Sequence, residues 1–200
     1  MSRQQQRTEE TRARILEAAE GCFARYGYDA TGVAEICAEA GLSKGAFYHH
    51  FASKHAVFME LLNRWLRGLD EQMGLLRREE ASVPEALLAM AGLVGSVLQA
   101  AGEGRFALFL EFWSQAVRHP QAWEVTIAPY HHYRDFFASM IEAGVAEGSL
   151  QAVDSQTAAR VIVSLAMGLF IQGLLDPAGA DWEQVAREGI RVMLEGLAKR

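Results

Sequence analysis

Apolar residues recur along the chain at helical spacing. Ile15, Ala19, Phe23 and Tyr26 fall three and four apart, on one face of a first helix. Thr8 is placed to cap that helix, with Glu9 and Glu10 in its first turn and Gly27 as its stop. A short helix over about 33–40 closes at Gly41, and a second, about 44–50, follows Ser43 as cap. Ser53 caps a longer helix to about Arg78, and Ser82-Val83-Pro84-Glu85 is a capping box opening a helix to about Ala101. Gly102 and Gly104 precede an apolar helix from Arg105 to Arg118, which Pro120 ends. The pattern resumes from Gln121 to about Glu147, with a kink or new start expected at Pro129, whose ring crowds the Val125 carbonyl. Asp154 caps Ser155 to Leu175, and Asp181 with Gln184 caps a last helix to about Ala198. This predicts an all-α protein of about nine helices, with no strand pattern and no internal repeat.

The longest apolar run, Val161 to Leu175, has 15 residues and is interrupted by Ser164 and Gln172. A membrane span needs about 20, so a buried helix and no membrane partner are expected. The opening residues lack the apolar stretch of a signal peptide, and two cysteines make no disulfide framework, so a cytoplasmic protein is expected.

Residues 28–58 carry the specific signal. Two short helices joined by Ala40-Gly41-Leu42-Ser43 have the layout of a helix-turn-helix, whose second helix enters the DNA major groove. Ile36, Leu42, Phe47 and Phe51 are spaced to pack on the first helix. Lys44, Gly45, Ala46, Tyr48, His49 and His50 are left to face outward. Charge first argues against this, since 19 Lys and Arg stand against 25 Asp and Glu, a net of −6. Position removes the objection. Residues 40–59 contain no Asp or Glu, and residues 1–60 hold seven basic against eight acidic residues, so the acid lies mainly in the rest of the chain.

Tyr26-Gly27-Tyr28-Asp29-Ala30-Thr31, Val33-Ala34-Glu35-Ile36, Ala40 through Phe51 and Ser53-Lys54 together resemble the TetR (tetracycline-repressor) family of bacterial regulators. The match runs from about Thr8 to Phe58; beyond it the resemblance is only an all-helical layout. It implies an N-terminal three-helix helix-turn-helix domain, 1–53, and a C-terminal helical ligand-binding and dimerisation domain, 54–200. It further implies that Lys44, Gly45 and Ala46 approach base edges, that Tyr48, His49 and His50 meet phosphate and sugar, and that Lys54 anchors a phosphate. Thr31 matches the first of two threonines opening the second helix; Gly32 stands where the second is usual, which puts a hydroxyl-to-phosphate contact there in doubt. Histidines without acidic or cysteine neighbours give no metal site, and Cys22 and Cys37 read as buried packing residues.

A body of some 140 residues behind such a head suits two tasks. Dimerisation would use the last two helices, through Ala158, Leu165, Leu169, Phe170, Val185, Ile190, Met193 and Leu197, although one intrachain core would explain the same pattern. Sensing would use aromatic and methionine residues: Met73, Met90, Phe109, Phe112, Trp113, Tyr133, Phe137, Met140 and Met167, with Glu111 as a polar oddity among them. The expected protein is a homodimeric repressor of double-stranded operator DNA, released from a palindromic site by a small, largely apolar effector. No cofactor is expected. A regulator without an inducer remains open, as does a helical enzyme or carrier, although no catalytic motif is present.

Overall fold

The computed structural model describes residues 3–101 and 123–197. Among them are nine helices and no strand: α1 (Arg3–Tyr26), α2 (Val33–Ala40), α3 (Lys44–His50), α4 (Lys54–Glu79), α5 (Val83–Ala91), α6 (Leu93–Ala101), α7 (Trp123–Glu147), α8 (Ser155–Leu175) and α9 (Trp182–Leu197). The predicted helix over 105–118 lies outside the described residues. The chain forms two compact units, Met1–Gly68 with Ala100–Arg118 and Leu69–Gln99 with His119–Arg200, and the division at Gly68/Leu69 falls within α4.

The first unit packs α1–α3 and the start of α4 around Ile15, Ala19, Phe23, Ile36, Phe47, Val57 and Phe58, each at most 2% exposed. Its aromatic rings interlock: Tyr28 lies 4.8 Å from Phe58 and 5.5 Å from Phe23, centroid to centroid. The second unit buries aliphatic side chains and methionines, among them Met73 of α4, Leu87 of α5, Ile141 of α7, Ile162 of α8 and Ile190 of α9. Its α8 packs on α7 and α9.

The predicted stops and caps are formed by the residues that specify them. Ser43 Oγ accepts from Ala46 N at 3.2 Å and Ser53 Oγ from Ala56 N at 3.1 Å. Asp154 Oδ1 accepts from Thr157 N at 2.7 Å, and Asp181 Oδ1 from Gln184 N at 3.0 Å. Ser82 Oγ accepts from Glu85 N at 3.4 Å and its hydroxyl donates to Glu85 Oε2 at 2.8 Å, which forms the serine half of the predicted box. Each satisfies backbone groups that a helix end leaves without partners.

Three local expectations are corrected. Thr8 is no cap: α1 starts at Arg3, and the Thr8 hydroxyl donates back to Gln4 O at 2.9 Å inside the helix. Of the two outcomes expected at Pro129, the new helix start is not formed, because α7 runs through it from Trp123. The predicted helix from Ser82 to Ala101 is two, interrupted at Gly92. A long-range neighbour sits at the break. A Cβ at Gly92 would stand 2.3 Å from Arg187 Nη2 of α9, and Arg187 Nη1 donates to Leu88 O at 3.3 Å, taking a carbonyl at the end of α5.

The apolar α8 is long enough to cross a membrane by length and composition. Ala159, Ile162, Val163, Leu169 and Gly173 are buried against neighbouring helices, so it serves as a packed helix of the second unit.

Candidate nucleic-acid interface

The turn between α2 and α3 rests on one glycine. Gly41 has φ +63° and ψ +40°, a left-handed conformation that costs other residues a Cβ clash. Leu42 N then reaches back to Cys37 O at 2.9 Å, and Gly41 N to Ala38 O at 3.2 Å, closing α2. Arg14 of α1 donates to Ala40 O at 2.5 Å from across the unit. The turn is therefore held at both its backbone and its open carbonyl.

With Phe47 fully buried, α3 is fixed in rotation. Lys44, Gly45, Tyr48 and His49 are exposed, at steps of one and four that place them on one face. Ala46 and His50 lie half-buried at its margins. Tyr48 is 55% exposed, and its ring meets Phe47 edge-on at 5.3 Å, which orients it without covering it. His50 is held below its ordinary pKa by burial first, then by the neighbouring His49 and Arg12. It therefore carries less positive charge near neutrality than a free histidine would.

Of the expected contact residues, Thr31 faces inward and Lys54 is half-buried. Thr31 is 1% exposed, and its hydroxyl lies 2.7 Å from Gly27 O and 3.2 Å from Cys22 O, so it closes the α1–α2 turn instead of presenting a donor outward. Lys54 donates to Tyr28 O at 2.6 Å and Thr31 O at 2.8 Å, and its ammonium stands 4.1 Å from the centre of the Tyr28 ring.

Two structural arginines were missed by sequence reasoning. Arg12 Nη1 donates to His50 O at 3.5 Å, its guanidinium covers the Phe51 ring at 4.4 Å, and it pairs with Glu60 at 3.1 Å. Arg14 is the cap on α2. The available signal was position: Arg12 lies one turn before Ile15 and Leu16, on the side of α1 that packs.

In the second unit, Met73, Met90 and Met140 are buried core residues. Tyr133 and Phe137 are half-buried against that core, and Met167 is half-buried. Phe109, Glu111, Phe112 and Trp113 lie outside the described residues. Asp70 of α4 gathers two groups from α7: His132 Nε2 at 3.1 Å, and the Tyr133 hydroxyl, whose pKa is driven well above its usual range by burial and by that carboxylate.

Of the residues expected at a dimer contact, Leu169 and Ile190 are buried within the chain, and Ala158, Leu165, Phe170 and Met193 are half-buried against the same core. The Leu197 side chain lies outside the described set. Val185 is exposed. It joins Val161, Ile171, Leu175 and Val192 as large aliphatic side chains left open on α8 and α9.

The sequence matches the family described as bacterial regulatory proteins, tetR family, over residues 15–61, and BetI-type transcriptional repressor, C-terminal, over residues 89–199. The regulator UidR of Escherichia coli K12 is 25% identical over 98% of this chain and 97% of its own length. The repressor KstR2 of Rhodococcus jostii is 27% identical over 94% of this chain and 91% of its own. Among solved structures, Salmonella enterica GusR superposes with TM-score 0.75 at 27% identity, covering 96% of each chain. A transcriptional regulator of Saccharomonospora viridis in complex with choline superposes with TM-score 0.79 at 23% identity, covering 96% of this chain and 100% of that one. Both the unit with the exposed α3 face and the second helical unit therefore belong to one known architecture, and this chain is a member of the TetR family of DNA-binding transcriptional regulators, not an enzyme.

Proposed function

We propose that the protein is a homodimeric repressor that works in the cytoplasm, reads a palindromic operator with two copies of α3 and leaves it when a small molecule binds the second unit. The observation that carries the reading is the outward face of α3: Lys44, Gly45, Tyr48 and His49, exposed on a helix that Phe47 and Gly41 hold in place. Lys44 and the bare backbone of Gly45 suit base edges, and Tyr48 and His49 suit phosphate and sugar. Ala46 and His50 are flanking contacts.

Two heads add their phosphate contacts, which supports a dimer for a head of such modest charge. The aliphatic side chains open on α8 and α9 favour those helices as its interface, with Val161, Ile171, Val185 and Val192 at the contact in place of the core residues Leu169 and Ile190. The effector site is assigned to Tyr133, Phe137 and Met167, with the Met73, Met90 and Met140 core behind them. Those side chains would suit a largely apolar ligand. Because a structural relative holds choline, an organic cation is the first ligand to test. Binding can shift the protein off DNA only if the ligand prefers the non-binding geometry.

The test is selection of duplexes from a random pool, followed by titration of the retained sequence at several salt concentrations. A palindrome bound with steep salt dependence supports the reading; no enrichment refutes it. Choline, long-chain quaternary amines and acyl-CoA are then screened by thermal shift, where a ligand stabilises by mass action. An effector must also weaken operator binding.

A further inference from the structure

Both helices of the reading pair end against a guanidinium from α1. Arg14 Nη2 donates to Ala40 O at the end of α2, at 2.5 Å, and Arg12 Nη1 to His50 O at the end of α3, at 3.5 Å. A helix C-terminus leaves carbonyls without amide partners and carries partial negative charge, so a cation is favoured at each. Arg12 is tied further. Its guanidinium lies over the Phe51 ring, 4.4 Å from the centre, and its Nη2 pairs with Glu60 Oε2 of α4 at 3.1 Å. The other Glu60 oxygen stands 3.5 Å from Arg67 Nη2. One carboxylate of α4 is thereby joined, through Arg12, to the end of α3. All of these residues belong to the first unit.

Residues 40–59 contain no Asp or Glu, and Glu60 is the first carboxylate after them. Negative charge in a DNA-binding head opposes its attraction for phosphate. Resting on the DNA-binding reading above, we infer that Glu60 and Arg12 serve operator binding as a pair of positioning residues: Glu60 steers the Arg12 guanidinium onto the end of α3, and Arg12 sets the tilt of that helix. Phe47 fixes the middle of α3 in rotation; Arg12 supports its last turn, which carries Tyr48, His49 and His50. An ion pair with side chains 39% and 30% exposed adds little to stability. What it supplies is placement, since a guanidinium released from Glu60 regains its rotamers and the end of α3 loses that support. A shift of the second turn of α4 is passed to the reading helix by the same route.

Removing the acid gives the sharpest test, because the two roles open to it predict opposite signs. As plain negative charge, Glu60 would weaken binding, and Glu60→Gln would tighten it. As a positioning residue, its loss weakens binding. The experiment uses the full chain, a duplex that the wild-type protein retains from a random pool, and a scrambled duplex of the same composition. Anisotropy titrations are run at four salt concentrations, well below each variant's Tm, for Arg12→Gln, Glu60→Gln and the double variant.

Both single variants are expected to bind the selected duplex about threefold to tenfold more weakly. Their salt slope and their affinity for the scrambled duplex should match wild type, because a displaced α3 still offers the same charges. The double variant should bind like Arg12→Gln, since Glu60 acts through Arg12. Tighter binding by Glu60→Gln would overturn the inference. So would an Arg12→Gln variant that loses affinity for both duplexes alike with a slope flattened by about 0.9 per contact, the mark of a phosphate contact. Unchanged affinity with a lowered Tm would make the pair a stabilising one only and equally overturn it. If Arg12→Gln does not fold, the isosteric Glu60→Gln decides by the sign of its effect. A wild-type protein that retains no duplex refutes the DNA-binding reading itself, and the inference with it.

Discussion

Among the described residues, the two units differ in the large side chains they leave uncovered. In the first unit these are Tyr26 and Tyr48, rings with a polar tip; in the second they are Leu75, Val161, Ile171, Leu175, Val185 and Val192, with no polar atom beyond the backbone. A tyrosine ring can stack on sugar and donate to phosphate while remaining tolerable in water. An open aliphatic row has no such use and gains only when another apolar surface covers it. The head is finished for a hydrated, charged partner. The open side chains on α8 and α9 suit an apolar protein surface, such as the proposed dimer would supply.

Putting a charge on the second surface should have the largest effect. Val192→Asp places a carboxylate at a position 62% exposed in the single chain, so protomer folding should hardly change. Burying that unpaired charge in a dimer costs about 3–5 kcal/mol, or roughly a hundredfold in association and more. Light scattering should report a monomer with unchanged helicity; a persistent dimer would move the interface elsewhere. Tyr48→Ala is the matching change on the first surface. It should weaken operator binding by about tenfold to a hundredfold and leave the dimer intact. Equal binding by the variant would remove Tyr48 from the interface.

Smaller effects test how the head is held. Gly41→Ala forces a Cβ into the left-handed region and should cost about 1–2 kcal/mol, lowering Tm by a few degrees. The smallest effect separates the units by pH. His50 is held below its ordinary pKa when folded, so on acidification the unfolded chain takes up its proton first, and stability falls as pH drops through about 6.5. In the second unit, Glu147 is lowered by the Val83 amide, 2.8 Å away, and by the Ser149 hydroxyl, and Asp154 by Thr157. Their contribution is present above the ordinary carboxylate range and is lost as pH falls through about 4. Hydrogen exchange against pH should therefore show the head loosening before the body. His50→Gln should remove the earlier step.

Much of the head was legible because its signals are local. A serine three residues before an amide, or a glycine where the chain reverses, can be read without knowing what lies across the fold. The fate of Arg14 and Lys54 could not be read that way. Their partners, Ala40 O, Tyr28 O and Thr31 O, lie 23 to 26 residues away, and a basic residue near DNA-reading sequence looks the same whether it faces solvent or a carbonyl. The body concealed more. Gly92 looks like a tolerated helical glycine until Arg187, far along the chain, occupies the space its side chain would need. Leu169 and Val161 share one apolar helix, and only packing decides which of them is left outside.

The tied cations bear on how the protein finds its site. Arg12, Arg14 and Lys54 each donate to carbonyls of their own unit, so less of their charge is open to hold the head on arbitrary sequence. Long sliding runs along DNA depend on such indiscriminate grip. With less of it, search by the proposed reader is expected to proceed by brief landings and departures, each trip ending quickly unless α3 meets its own bases. The operator is then distinguished less by how fast it is reached than by how long it is kept, and occupancy answers promptly to any change in the rate of leaving.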